Sequence, residues 1–218
     1  LIASSSEVYG KSDRVPFAED EDMVYGSTRF NRWSYAATKA IDEYMALAYA
    51  RQQRLKVVIV RLFNTVGPRQ IGHYGMVVPR FIQSAVANEP IEIYGDGQQT
   101  RCFCHVSDVV DAIIRLLNTP ACYGQVFNLG SDEELTIASL AERIIALSGS
   151  HAPVRYVPYE KAYAQDFEDL RRRVPDLKRI HEAIGYRPGH TLDQILAELI
   201  ELARMQQPPS AGTGATQS

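Results

Sequence analysis

Arg32-Trp33-Ser34-Tyr35-Ala36-Ala37-Thr38-Lys39-Ala40 leads a helix-forming run that reads from about Ser34 to Gln53, and Val57-Val58-Ile59-Val60 follows it. Ala37, Ile41, Tyr44, Met45 and Ala48 recur at helical spacing and are expected to form the apolar stripe, with Asp42, Glu43 and Arg51 facing water. The unbroken β-branched run is the pattern of a strand buried on both faces. Upstream, Leu1-Ile2-Ala3 reads as a strand end opening into the polar loop Ser4-Ser5-Ser6-Glu7-Val8-Tyr9-Gly10. Strand, helix and strand at this spacing form a βαβ unit, so the fold class expected is α/β with a parallel sheet.

Tyr35 and Lys39 are four residues apart, so a helix sets both on one face. A free tyrosine is a poor base at neutral pH, and positive charge beside it favours the phenolate. A phenolate can take an alcohol proton while hydride leaves the same carbon. The same spacing also describes a helix with a half-buried tyrosine and a solvent lysine, so the neighbouring residues must decide.

The whole chain sets bounds on that choice. Its 218 residues suffice for one large domain or two small ones, and a net charge of -3 gives no footprint for nucleic acid or a membrane surface. No apolar run reaches the ~20 residues a bilayer requires. Cys102, Cys104 and Cys122 are odd in number and suit a reducing compartment, so a cytoplasmic location is expected. The five histidines lack metal-ligand spacing, and no metal is expected.

Other segments fill in the order. Residues 11–33 are turn-rich, and the acidic run Glu19-Asp20-Glu21-Asp22 reads as solvated surface. Met76 to Asn88 reads as a helix with Pro79 in its first turn. Ile91-Glu92-Ile93-Tyr94, the turn Gly95-Asp96-Gly97 and Thr100 to Val106 read as a hairpin-like extension, with Arg101, Phe103 and His105 on one face. Ser107 is expected to cap a helix reaching Asn118, and Thr136 one that stops at Gly149. Val126 to Leu129 and Val154 to Val157 read as strands, Leu177 to Ile184 as a helix, and Thr191 with Gln194 as a capping box for the last helix. The tail after Pro208-Pro209 reads as disordered.

Polar groups therefore gather after strand ends: Ser5, Ser6 and Glu7, then Tyr35, then Phe63-Asn64. Ser5 can hydrogen-bond a substrate hydroxyl, Glu7 can handle a proton, and Arg101 or the Arg171-Arg172-Arg173 cluster can hold phosphate or carboxylate. Neither G-x-G-x-x-G nor G-x-x-x-x-G-K-[ST] occurs. As an ordered set, Ser4 to Gly10, Tyr35-x-x-x-Lys39, Arg61-Leu62-Phe63-Asn64-Thr65-Val66-Gly67-Pro68-Arg69, Gly95-Asp96-Gly97-Gln98-Gln99-Thr100-Arg101, Asp176-x-Lys178 and Gly185-Tyr186-x-Pro188 resemble one family. It is the extended short-chain dehydrogenase/reductase family, in its nucleotide-sugar epimerase/dehydratase/decarboxylase branch.

The resemblance implies a partial Rossmann-like parallel sheet (later βα units only) with a smaller α+β substrate-binding lobe. It places the carboxyl-terminal part of an NAD-binding domain at 1–67, a mainly nucleotide-sugar-binding lobe with a returning strand near 126–130 at 68–205, and a tail at 206–218. About 100 residues of cofactor-binding βαβαβ half would lie upstream, so the chain alone is expected to bind NAD poorly. Tyr35, Lys39, Ser5, Ser6 and Glu7 carry the catalytic match, and Tyr35, Lys39 and Phe63 the NAD contacts. Asn64, Arg69, Val78, Tyr94, Arg101, Arg32 and Arg173 carry the substrate match. The implied reaction passes through a 4-keto sugar. A UDP-sugar 4-epimerase ranks first and a UDP-glucuronate decarboxylase second, on Ser6-Glu7, Arg32 and Arg101. A 4,6-dehydratase is disfavoured because Asp-Glu is expected where Ser6-Glu7 stands, and a non-catalytic remnant is the alternative of another class. Homodimerisation through the Ser34–Gln53 helix is implied as well.

Overall fold

Strand β1 (Ile2–Ser5) runs parallel to β2 (Val58–Leu62), in register Ile2↔Ile59 to Ser5↔Leu62, and helix α1 (Arg32–Gln53) crosses between them. This is a computed structural model, and it describes residues 1–70, 76–162 and 170–206. Strand β7 (Gln125–Leu129) joins the other edge of β2, again parallel, to give the order β1-β2-β7. The β-branched run is buried on both faces for a visible reason. Val57 and Ile59 pack with Val126 and Ala46 under α1, whereas Val58 and Val60 pack with Phe127, Val109 and Leu116 on the opposite side. That opposite layer is α3 (Val106–Leu117) with α6 (Lys178–Ile184).

A second core lies beyond the strand ends. It joins α2 (Val77–Val86), α4 (Ile137–Ser148) and α7 (Leu192–Gln206) to β4 (Ile91–Tyr94), with Phe81, Ile93, Leu140, Ile144 and Leu196 fully buried. Thr191 and Gln194 exchange bonds at the start of α7, and Thr136 accepts from Ser139 N at the start of α4.

The hairpin expected after Tyr94 does not form. β4 pairs in parallel with β9 (Val154–Val157), and a single turn, α5 (Tyr159–Ala162), follows β9. Gly95 and Gly97, at φ +76 and +72, turn the chain out of that sheet. β5 (Thr100–Arg101) then pairs antiparallel with β8 (Leu135–Thr136), and β6 (Cys104–His105) pairs in parallel with β3 (Thr65–Val66). Partners remote in sequence outcompeted the local turn. The α3 cap is likewise His105, whose Nδ1 accepts from Ser107 N, with Ser107 inside the helix.

Two surface assignments also reverse. Ile41, Tyr44, Met45 and Tyr49 stand exposed on α1, while Trp33, Ala36, Ala40, Ala46 and Glu43 are buried. Small alanines let the helix lie close to the sheet, and Glu43 can enter because Arg61 of β2 meets it. Arg61 Nε and Nη2 donate to the Glu43 carboxylate at 3.0 and 2.7 Å, and Ser4 Oγ donates to it as well. Burial works against Arg61's charge, but the Glu43 bonds outweigh it and hold the guanidinium pKa above its ordinary value. Glu19 of the acidic run is buried too, accepting from Asn128 N at 2.8 Å with Arg179 at 3.7 Å. The tail after Gln206 lies outside the described residues. Among the described residues no helix is long and apolar enough to cross a membrane.

Candidate active site

Between the strand ends and the second core lies a cavity of about 670 Å³. Its floor comes from the loop after β1. Ser5 Oγ accepts from Glu7 N at 3.2 Å and caps the 3-10 turn Ser6–Tyr9, which Gly10 ends at φ +62. A Cβ on Gly10 would meet Val24 O at 2.0 Å, so only glycine lets this loop fold back.

Glu7 is the focus of the charges. Its Oε1 accepts from Arg32 Nη2 at 3.0 Å and from Arg173 Nη1 at 2.7 Å, while Arg173 Nη2 donates to Ser6 Oγ. Glu7 Oε2 is buried and makes no hydrogen bond to protein. Burial pushes the Arg173 guanidinium down to about 10; Glu7 opposes this, and the positive charges of Arg101 and Arg32 add to it. Arg101 Nη1 donates to Thr100 O and Leu170 O at 2.7 and 2.8 Å, and Asn64 Nδ2 to Cys102 O at 2.9 Å.

Elsewhere the wall is apolar at Val77, Val78, Phe103 and Ile137. The Arg80 guanidinium lies 4.1 Å over the Tyr94 ring, and Gln99 Nε2 donates to Tyr94 O at 3.0 Å. Among the described residues of the wall, Arg32, Arg80, Arg101 and Arg173 oppose one carboxylate, Glu7. Four positive charges against one negative suit a ligand with several anionic groups.

The cavity brings together Ser5, Ser6, Glu7, Arg32, Tyr35, Asn64, Val78, Tyr94, Arg101 and Arg173. It does not include Lys39, whose Nζ lies 3.3 Å from Asp42 Oδ2, or Arg69, which lines a separate small groove with Leu199. Phe63 is fully buried against Val8, Tyr9 and Phe17. Sequence reasoning missed Arg80, Phe103's place on this wall, Ile137 and Tyr159; Gln99 stood inside a quoted motif without a role. Arg80, next to the helix-starting Pro79, offered the nearest signal.

The three cysteines are buried, and burial pushes Cys102 up to about 12 and Cys104 to about 11, so neither offers a thiolate at neutral pH. Among the described residues no cluster could hold a metal ion. A nicotinamide cofactor fits in part. Tyr35 and Ser5 stand at the cavity wall beside the β1 and β2 ends, where a dinucleotide's reactive end would lie, but no described glycine-rich turn opens a helix to cradle its phosphates.

A parallel sheet with Ser5 and Tyr35 at a cavity beyond its strand ends, and Arg32, Arg80, Arg101 and Arg173 on the same wall, defines an α/β protein with a site suited to an anionic ligand. The chain belongs to the NAD dependent epimerase/dehydratase family, whose sequence profile matches residues 1–130. It is 42% identical over 205 residues to the UDP-N-acetyl-alpha-D-glucosaminuronate decarboxylase of Bacillus cytotoxicus, covering 94% of this chain and 63% of that protein. It is 36% identical over 203 residues to UDP-glucuronic acid decarboxylase 1 of Danio rerio, covering 92% of this chain and 46% of that one. The crystal structure of dTDP-glucose 4,6-dehydratase from Bacillus anthracis in complex with NAD superposes with a TM-score of 0.79 at 27% identity, over 94% of this chain and 61% of that one. The chain thus spans about half to two thirds of the length of these proteins.

Proposed function

We propose that the protein carrying this chain is an NAD-dependent decarboxylase of a UDP-uronate, acting through a 4-keto sugar. The observation that carries this reading is the convergence of Arg32 and Arg173 on Glu7 in the cavity that Tyr35 lines. Glu7 offsets only one of these two positive charges, and a C6 carboxylate would offset the other where a neutral hexose would not. The similarity to two UDP-uronate decarboxylases supports the same choice, and moves it ahead of the 4-epimerase that the sequence ranks first.

In this reading Val78, Tyr94 and Arg80 receive the nucleotide, and Asn64 and Arg101 the diphosphate. Tyr35 and Lys39 would hold the nicotinamide end of NAD, which would supply reversible hydride acceptance at C4. Tyr35, as phenolate, takes the C4 hydroxyl proton, and the Ser5 hydroxyl orients that oxygen. With C4 a ketone, the carboxylate is β to a carbonyl. The C5–C6 bond then breaks, carbon dioxide leaves, and the electron pair passes to the C4 oxygen as an enolate. The Tyr35 hydroxyl stabilises that oxygen by donating to it. Arg32 and Arg173 orient the carboxylate, and Glu7 fixes their geometry. Solvent water then supplies a proton to C5, and Tyr35 returns its proton to the C4 oxygen as hydride returns to that carbon. Lys39 is assigned to favour the Tyr35 phenolate and hold the ribose, and Phe63 to back the nicotinamide; Ser6 anchors Arg173, and Arg69 borders the substrate lobe.

Ile41, Tyr44, Met45 and Tyr49 give α1 an apolar face open to solvent, and a second copy packed on it would complete a homodimer. The test of the chemistry is Tyr35→Phe in the full-length protein. Hydride transfer, read as NADH absorbance in a single turnover, should vanish while UDP-sugar binding persists. Turnover at the wild-type rate would refute the assignment.

A further inference from the structure

Four consecutive residues of one segment each engage a different part of the fold. Leu170 is buried against Trp33 and Ala36 of α1, and its carbonyl accepts from Arg101. Arg171 O accepts from Thr100 N of β5 at 2.8 Å. Arg172 forks onto Glu134, Nε to Oε1 at 2.6 Å and Nη2 to Oε2 at 2.8 Å. Arg173 enters the cavity to reach Ser6 and Glu7. Glu134 immediately precedes β8, and its Oε1 also accepts from Thr100 Oγ1 at 2.6 Å. One carboxylate therefore ties β5, β8 and the segment together, although neither it nor Arg172 lines the cavity.

The Arg173 charge works against its own position. It is buried and Arg101 and Arg32 repel it, against the hold of Glu7 and Ser6, so its place depends on the segment that carries it keeping its geometry. The Glu134–Arg172 pair is placed to hold it. Half of the Arg172 side chain is exposed, so the pair adds little to global stability, but its fork fixes direction. We propose that Glu134 and Arg172 are positioning residues: they pin the 170–173 segment so that the Arg173 guanidinium stays against Ser6 and Glu7, where an acidic sugar is received. The last clause rests on the decarboxylase reading; the pinning itself does not.

The test uses the full-length protein with Glu134→Ala, Arg172→Ala and the double variant. Hydrogen exchange at the Thr100 amide reports the segment's hold. It should quicken about fivefold in each single variant and no further in the double one, as for two halves of one pair, while core amides such as Val60 and Phe127 stay unchanged. By calorimetry, affinity for UDP-glucuronate should fall about fivefold with that for UDP unchanged, and Glu134→Ala should add nothing to Arg173→Met. Unchanged Thr100 exchange, additive singles or equal losses for UDP would overturn the positioning role. If Thr100 exchange quickens as expected but the wild type binds UDP-glucuronate no better than UDP-glucose, the pinning stands and the acidic-sugar reading falls.

Discussion

Arg173 Nη1 lies 2.7 Å from Glu7 Oε1, joining residues 166 positions apart in the chain. In the decarboxylase reading this pair marks the sugar end of the cavity, and the same guanidinium also holds Ser6. Arg173→Met removes one of the two arginines on Glu7. Truncating one partner of such a pair costs about 2–5 kcal/mol. The expected result is a loss of at least about thirtyfold in kcat/KM for UDP-glucuronate, with nucleotide affinity kept; steady-state kinetics beside UDP titration checks it.

Glu43 and Arg61 form the other desolvated pair, with side chains 3% and 4% exposed. Glu43→Ala leaves the Arg61 charge buried without its carboxylate, at a cost of about 3–5 kcal/mol. Replacing both by methionine should cost less, because no charge is then stranded. Urea denaturation of the three proteins measures this, and a double variant weaker than Glu43→Ala would count against it.

Burial raises the Glu19 pKa, chiefly by desolvation. Between an unfolded value of about 4.3 and that raised folded value, the folded chain binds the extra proton. Stability from this group therefore falls as pH rises through the window. Glu19→Gln should flatten that slope in urea midpoints taken across pH 4 to about 7. An unchanged slope would locate the effect elsewhere.

On α1, Ile41→Glu with Met45→Glu places two charges on the exposed apolar face. If that face joins two copies, light scattering after size exclusion should show a dimer become a monomer with its circular dichroism intact. A wild type that is itself monomeric would remove the dimer proposal.

Much of the site was legible because its parts are short and local. Ser5 to Glu7 stand at a strand end, Tyr35 lies in the first turn of a helix, and Arg101 sits in one turn motif. The βαβ unit was legible because Val57 to Val60 are β-branched without a break. The rest depended on long-range pairing. Nothing near Ile91 announces Val154 as its partner, so the Gly95–Gly97 turn looked like a hairpin. Helix α1 misled because its large apolar residues face outward, while alanines and an ion-paired Glu43 face the sheet. The resemblance singled out Arg173 among three adjacent arginines, while the residue types alone did not; in the structure Arg173 bonds Glu7 and Ser6 and Arg172 bonds Glu134.

The most direct measurement is to incubate the full-length protein with NAD and UDP-glucuronate, trap the gas and resolve the sugar products. Carbon dioxide released one for one with a UDP-pentose is the result expected of a decarboxylase with Arg32 and Arg173 on the C6 carboxylate. A 4-epimer formed with its carboxylate retained, and no carbon dioxide, would contradict it.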